Sequence, residues 1–221
     1  MILKICGITN QEDATAAVEG GANAIGFNFY PSSPRYIAPE RAAEIGTPAG
    51  VRRVGVFVNE ARGRVEEVAR IAAVTVAQLH GDETAAEYPA GLAVWKGVRV
   101  TEGFDFSKYE ECAAEALLLD GPAGDVYGGS GKGFDWNLAV KKAALQAAGP
   151  AESESAGRIA CPTKTKIILA GGLDGSNVAR AIAAAHPWGV DACSRIESAP
   201  GKKDLRKMRA FLEAAGAALG A

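Results

Sequence analysis

The chain has 221 residues and a formal charge of −2, with acids and bases nearly balanced. That length suits one barrel or one large α/β layer domain, and it can bury a full core without disulfide or metal staples. The charge balance offers no basic surface for nucleic acid and no basic amphipathic segment for a membrane face. Short apolar runs then alternate with amphipathic stretches along the chain. Strands are expected over residues 3–6, 24–29, 53–58, 74–79, 93–98, 116–120, 166–170 and 189–193. Each is short and largely apolar, as strands covered on both faces are. Helices are expected between them over 11–20, 39–45, 64–72, 84–88, 106–114, 137–147 and 176–185, with an eighth over 203–215 closing the chain. Asn10 is placed to cap the first helix, with Glu12 and Asp13 in its opening turn. Pro39 stands at a first helical position, and Gly20, Gly21 and Gly216 serve as stops. Eight strand-then-helix units imply parallel strands joined by right-handed crossovers. Over this length they fit an α/β fold of the (β/α)₈ TIM-barrel type, one domain over 1–221, better than an open doubly wound sheet. No GxGxxG follows the first strand, which argues against a dinucleotide-binding fold.

The opening MILKICGITN carries one charge, Lys4, and its apolar stretch is broken at Gly7, so no signal peptide is expected. No run approaches the ~18 apolar residues of a membrane span. Cys6, Cys112, Cys161 and Cys193 are scattered without a CxxC pair and are expected as reduced thiols of a cytoplasmic protein. The histidines, His80 and His186, do not make a zinc constellation. Residues 147–165 (AAGPAESESAGRIACPTKT) are rich in Ala, Gly, Pro, Ser and Glu and are expected as a mobile surface insert. The insert joins a helix to a strand, which in a barrel puts it on the face opposite the chemistry.

Barrel enzymes build their sites where the strands end. The first strand ends at Cys6, followed by Gly7. The second leads into a loop with Arg35, the fourth into His80-Gly81-Asp82-Glu83, and the sixth ends at Asp120. The seventh runs into Gly171-Gly172 and the eighth into Cys193-Ser194. Gly171 and Gly172 let the backbone approach an anion, and N–H groups of the turn over 193–197 can join them in a phosphate site. A Gly-Gly pair is equally at home in an ordinary tight turn. A cysteine at a strand end is either inert packing or a base. Asp120, after three leucines, either ties a loop or, desolvated at the barrel mouth, serves as a proton donor.

A run of motifs then points to one family. KICGIT at 4–9, GFNFYPSSPRYI at 26–37, VGVFVN at 54–59, QLHGDE at 78–83, LLLD at 117–120, YGGSGKGFDW at 127–136, LAGGL at 169–173 and PGKKD at 200–204 resemble, in register, those of phosphoribosylanthranilate isomerases. The resemblance implies an Amadori rearrangement of N-(5-phosphoribosyl)anthranilate to 1-(carboxyphenylamino)-1-deoxyribulose 5-phosphate, an aldose–ketose isomerisation in tryptophan biosynthesis. It implies Asp120 as general acid and Cys6 as general base. The iminium formed on ring opening is the electron sink, so no cofactor is implied. Arg35 matches the position that meets the anthranilate carboxylate, and Asp191 one that binds sugar hydroxyls. His80 lines the site, its plainer reading being a hydrogen-bonded rim residue. Gly171, Gly172, Ser194 and Arg195 hold the phosphate, and residues 128–131 form a loop that closes over substrate. The family's Ser-Ser-Gly after the eighth strand is replaced here by Cys193-Ser194-Arg195. A positive φ at Arg195 would carry strain; alternatively its charge adds a phosphate contact. The partner implied is the small-molecule substrate, to a monomer or homodimer. Two other functions stay open: a dual-substrate isomerase that also takes the histidine-pathway aminoaldose, which the cysteine at position 6 disfavours, and a non-catalytic phosphate-ligand-binding barrel.

Overall fold

The computed structural model describes residues 1–101, 105, 109, 113–121 and 166–218. The helix expected over 137–147, most of that over 106–114, the loop over 128–131 and the insert over 147–165 lie outside them. Eight parallel strands close the barrel: β1 (Ile2–Cys6), β2 (Ala24–Asn28), β3 (Arg52–Phe57), β4 (Val76–Leu79), β5 (Ala93–Arg99), β6 (Ala116–Asp120), β7 (Lys166–Leu169) and β8 (Gly189–Ala192). Each pairs with the next, and β8 returns to β1 through registers running from Ile2↔Gly189 to Ile5↔Ala192. These strands fall within two residues of the expected bounds, because runs buried on both faces stand out as apolar blocks.

Period-two alternation splits the strand residues into two cores. Leu3, Ile5, Ile25, Phe27, Phe57 and Leu79 pack outward under the helices. Ile2, Ala24, Val54, Val76, Trp95, Ala116, Leu118 and Ile168 form a separate cluster that fills the barrel. At its floor Trp188 meets Trp95 edge to face, with centroids 5.9 Å apart. The Arg52 guanidinium lies 5.9 and 5.7 Å from the two ring centroids. Glu115 gathers Arg52, Lys166 and the Trp95 indole N–H, each at 3.0 Å.

The helices follow their caps. Asn10 accepts from the Asp13 N–H at 2.8 Å and opens α1 (Gln11–Glu19), which stops at Gly20, followed by Gly21 at φ +103°. Pro39 opens α2 (Pro39–Ala43), and α3 spans Arg62–Ile71. The stretch over 84–88 is a single 3₁₀ turn, Ala85–Glu87, where the Thr84 N–H and hydroxyl both donate to Glu87. α4 (Val178–Ala185) buries Val178, Ala181, Ile182 and Ala185. α5 (Leu205–Ala217), capped by Asp204, buries Met208, Phe211, Leu212 and Ala215. α5 runs through Gly216 rather than stopping there, because a glycine inside a helix costs only about 1 kcal/mol and half-buried Ala218 beyond it still packs against the core.

Arg53 ties helices to barrel. It points outward from β3, and its guanidinium donates to the carbonyls of Ala42, Ile45 and Ala72, at 2.7, 2.7 and 2.8 Å, where α2 and α3 end. These carbonyls stand at or just past the helix ends, where helical donors run out. Arg53→Met keeps the stem and strips the donors, so it should cost roughly 2–4 kcal/mol in a urea melt. Because the side chain faces away from the barrel interior, kcat/KM of the folded fraction should be unchanged.

Candidate active site

Alternation carries Lys4 and Cys6 of β1 to the inside of the barrel along with Ile2. Lys4 is fully buried, and its Nζ lies 3.0 Å from Asp191 Oδ2 on β8. Burial works against its charge, but the Asp191 and Cys6 anions outweigh that and hold Lys4 cationic. Asp191 is pushed up to about 7, chiefly by burial, against the pull of Lys4. Its Oδ1 is buried with no hydrogen-bond partner among the described residues.

Cys6 is buried at the end of β1, beside Cys193, which follows β8. The neighbouring Cys193 thiol, against the cost of burial and with help from the Lys4 and Lys203 charges, holds Cys6 well below the ordinary thiol range. Asp120 ends β6 and is moved the opposite way. Burial pushes its carboxyl up to about 6, and the Cys6 charge adds to the effect, although a Gly121 N–H donates to it. One rim thus carries a thiol poised to ionise and a carboxyl poised to hold its proton.

His80 follows β4, with Nε2 3.5 Å from Asp120 Oδ2. Burial and the Lys4, Arg99 and Lys96 charges lower its pKa to about 4, so it is neutral at ordinary pH. With Gln78 Nε2 donating toward Nδ1 at 3.2 Å, the ring proton sits on Nε2, facing the carboxylate. The loop behind it is fixed by buried Lys96, whose Nζ donates to Gly81 O and Glu83 Oε2, both at 2.7 Å. Arg35 also reaches the rim, but its Nε and Nη2 form a two-pronged pair with Glu197, at 2.9 and 2.8 Å. Glu197 also accepts from Lys203 Nζ at 2.9 Å.

Across the mouth, Gly171 and Gly172 take φ of +78° and +69°. Gly171 has a reason beyond anion access. A Cβ there would fall 2.4 Å from the Gly121 nitrogen and 2.9 Å from Asp120 Oδ1. Ser194–Ile196 form a 3₁₀ turn one residue after β8, within the turn expected over 193–197. Arg195 fits that turn without strain: the positive-φ non-glycine residues described are Asn59, Ala73 and His186. Its Nε donates to Asp174 Oδ2 at 2.7 Å, which directs the guanidinium to the carboxylate after β7. A cavity of about 540 Å³, lined by Asp174, Ser176, Ser194, Arg195 and Lys207, opens beside the turn.

The structure therefore brings Cys6, Asp120, His80 and Asp191 around one electrostatic centre, with Arg35 and the 171–172 and 194–195 loops at the same rim. Glu197, Lys203 and Lys96 are contributors that the sequence analysis did not name, and Lys4, Cys193 and Glu83 were named there by position without a role. Lys4 had one available signal, a lone cation on the inward phase of an apolar strand.

Fold and site together define a (β/α)₈-barrel with acid–base groups at the C-terminal ends of its strands. A family model described as N-(5'-phosphoribosyl)anthranilate (PRA) isomerase matches residues 3–214. An N-(5'-phosphoribosyl)anthranilate isomerase of Solibacter usitatus is 61% identical over 221 residues, covering all of both chains. One from Trichlorobacter lovleyi is 42% identical, covering 98% of each. The crystal structure of phosphoribosyl anthranilate isomerase from Thermotoga maritima matches at TM-score 0.82 and 37% identity, over 98% of this chain and 100% of that one. A phosphoribosyl anthranilate isomerase solved with reduced 1-(o-carboxyphenylamino)-1-deoxyribulose 5-phosphate matches at TM-score 0.79 and 35% identity, over 98% of this chain and 100% of that one. This chain belongs to the N-(5'-phosphoribosyl)anthranilate isomerase family.

Two outcomes follow from the geometry. A carboxyl raised from 3.8 to about 6 favours the fold less and less as pH climbs through that window. The cost is absent below about 3.8 and complete above about 6. Asp120→Asn should therefore stabilise the protein at pH 8 by up to roughly 3 kcal/mol while abolishing turnover, and the gain should vanish at pH 4. Paired denaturant melts at the two pH values check this. Gly171→Ala should displace the carboxyl and lower kcat at least about a hundredfold, with cooperative melting retained.

Proposed function

We propose that the protein isomerises N-(5-phosphoribosyl)anthranilate to 1-(carboxyphenylamino)-1-deoxyribulose 5-phosphate, with Asp120 as general acid and Cys6 as general base. The observation that carries this assignment is the opposite displacement of the two groups at one rim, the thiol down and the carboxyl up. Each is then in the form its task needs. Protonated Asp120 gives its proton to the furanose ring oxygen, and the C1–O bond opens to an iminium cation. The Cys6 thiolate takes the proton from C2, and the C–H electrons flow into the iminium to give an enolamine. Return of a proton to C1 and loss of the enol proton yield the ketone.

The other residues hold the substrate. Asp191, with one oxygen on Lys4, presents Oδ1 to sugar hydroxyls. Neutral His80 donates toward Asp120 as it becomes a carboxylate and so stabilises the product of the first proton transfer. Backbone N–H groups at Gly172 and at the start of the Ser194–Ile196 turn receive the phosphate. The Arg195 side chain, drawn to Asp174, braces the two loops, so phosphate recognition there rests on backbone rather than on guanidinium charge. Arg35, preset by Glu197, offers the rest of its fork to the anthranilate carboxylate.

Removing the base tests this reading directly. Cys6→Ala should lower kcat by at least about a hundredfold, the scale of a lost acid–base group, while the melting curve stays cooperative. Product formation from purified substrate, followed by chromatography, decides it. Near-normal turnover in that variant would take Cys6 out of the mechanism.

A further inference from the structure

The loop after β7 is gripped by one side chain from outside it. Asn177 stands just before α4, where an asparagine ordinarily accepts from an N–H of the first helical turn. Its side chain makes no such bond and turns back to the loop instead. Nδ2 donates to the Gly172 carbonyl at 2.8 Å, and Oδ1 accepts from the Asp174 N–H at 2.9 Å. The amide thus closes a ring over Gly172, Leu173 and Asp174. Asp174 in turn accepts from the Ser176 N–H at 2.9 Å and from Arg195 Nε at 2.7 Å. The same loop packs on α5 at Gly175, where a Cβ would fall 2.8 Å from the Ala210 carbonyl carbon.

We infer that Asn177 is a positioning residue for the substrate phosphate: its amide holds the Gly172 carbonyl back, so that the N–H groups of the loop, and not this oxygen, meet the anion. This rests on the reading of that loop as the phosphate site. The N–H groups of Gly172 and Leu173 have no hydrogen-bond partner among the described residues, so they are donors in waiting. Gly171 and Gly172 take φ of +78° and +69°, a region that glycine enters and leaves freely. Two such residues in succession do not hold their own peptide planes, and the brace has to come from elsewhere. In a trans peptide the carbonyl and the following N–H point to opposite sides. Fixing Gly172 O on Asn177 therefore fixes the Leu173 N–H on the far side and stops the carbonyl from turning toward a negative ligand. The helix goes without a side-chain cap, so the amide serves the loop.

Asn177→Ala removes the amide, and Asn177→Ser removes its reach while leaving a residue that starts helices as well as asparagine does. Competitive inhibition by inorganic phosphate and by anthranilate, which lacks a phosphate, is measured in the parent and both variants, together with kcat and KM. In both variants the inhibition constant of phosphate should rise about five- to tenfold, the scale of one or two net hydrogen bonds, and that of anthranilate should stay within about twofold. The loss in kcat/KM should fall on KM, as lost ground-state binding does. An unchanged phosphate constant in the variants would overturn the inference. So would an equal rise for both inhibitors, which marks a general loosening of the barrel mouth. If the alanine variant does not fold, the serine variant decides by the same readings. If inorganic phosphate does not compete with substrate even in the parent, the phosphate site itself is misplaced and the inference falls with it, which shows before any variant is made.

Discussion

An ammonium group sealed inside a barrel has to be compensated by anions within a few ångströms, since burial otherwise expels its proton. Lys4 meets that requirement with the carboxylate of Asp191 at 3.0 Å and the sulfur of Cys6. The consequences spread upward from this cation. It helps Cys6 to ionise, it counters part of the burial cost of Asp191, and it helps to keep His80 uncharged. Asp120, subject mainly to its own burial, keeps its proton into a range where a free aspartate has long lost it. One buried charge thus helps to set the ionisation of Cys6, Asp191 and His80, while it works against the proton on Asp120.

The geometry that permits this is set by backbone more than by side-chain chemistry. Gly171 leaves room for the Asp120 carboxylate and the Gly121 nitrogen, and Gly7 leaves room for Cys193 and the Arg35 stem. Both lie at strand ends, with φ of +78° and +74°, a region open to glycine and costly for other residues. The rim is crowded because it is built to hold groups still. Pairings such as Arg35 with Glu197 and Lys96 with Glu83 fix charges before any ligand arrives, which limits reorganisation during the reaction.

Much of this was legible in the sequence. The eight strands showed as apolar blocks, and Cys6, His80 and Asp120 showed because reactive residue types fell at the ends of those blocks. The strand-end positions also supplied the glycine loops. What stayed hidden was pairing at long sequence separation. Nothing local marks Arg35 as the partner of Glu197, 162 positions away, or Arg53 as the donor to three helix-end carbonyls. Lys4 was masked by its setting, since a lysine in ILKIC reads as the polar interruption of a strand. Only the closed barrel turns its phase inward. Arg195 shows the converse limit: strain at that turn was a possible cost of replacing glycine, and the 3₁₀ geometry removes it.

The floor of the barrel has a consequence of another kind. Trp95, Trp188, Arg52, Lys166 and Glu115 join β3, β5, β6, β7 and the approach to β8 in one knot, at the end of the barrel away from Cys6 and Asp120. Heat resistance and catalytic rate therefore draw on different ends of the same cylinder. A lineage can drift, or a protein engineer can work, on the aromatic stopper and its ionic collar, trading melting temperature up or down, without disturbing the ångström-scale arrangement at the rim. The fold provides a chassis and a workbench joined through the strands between them.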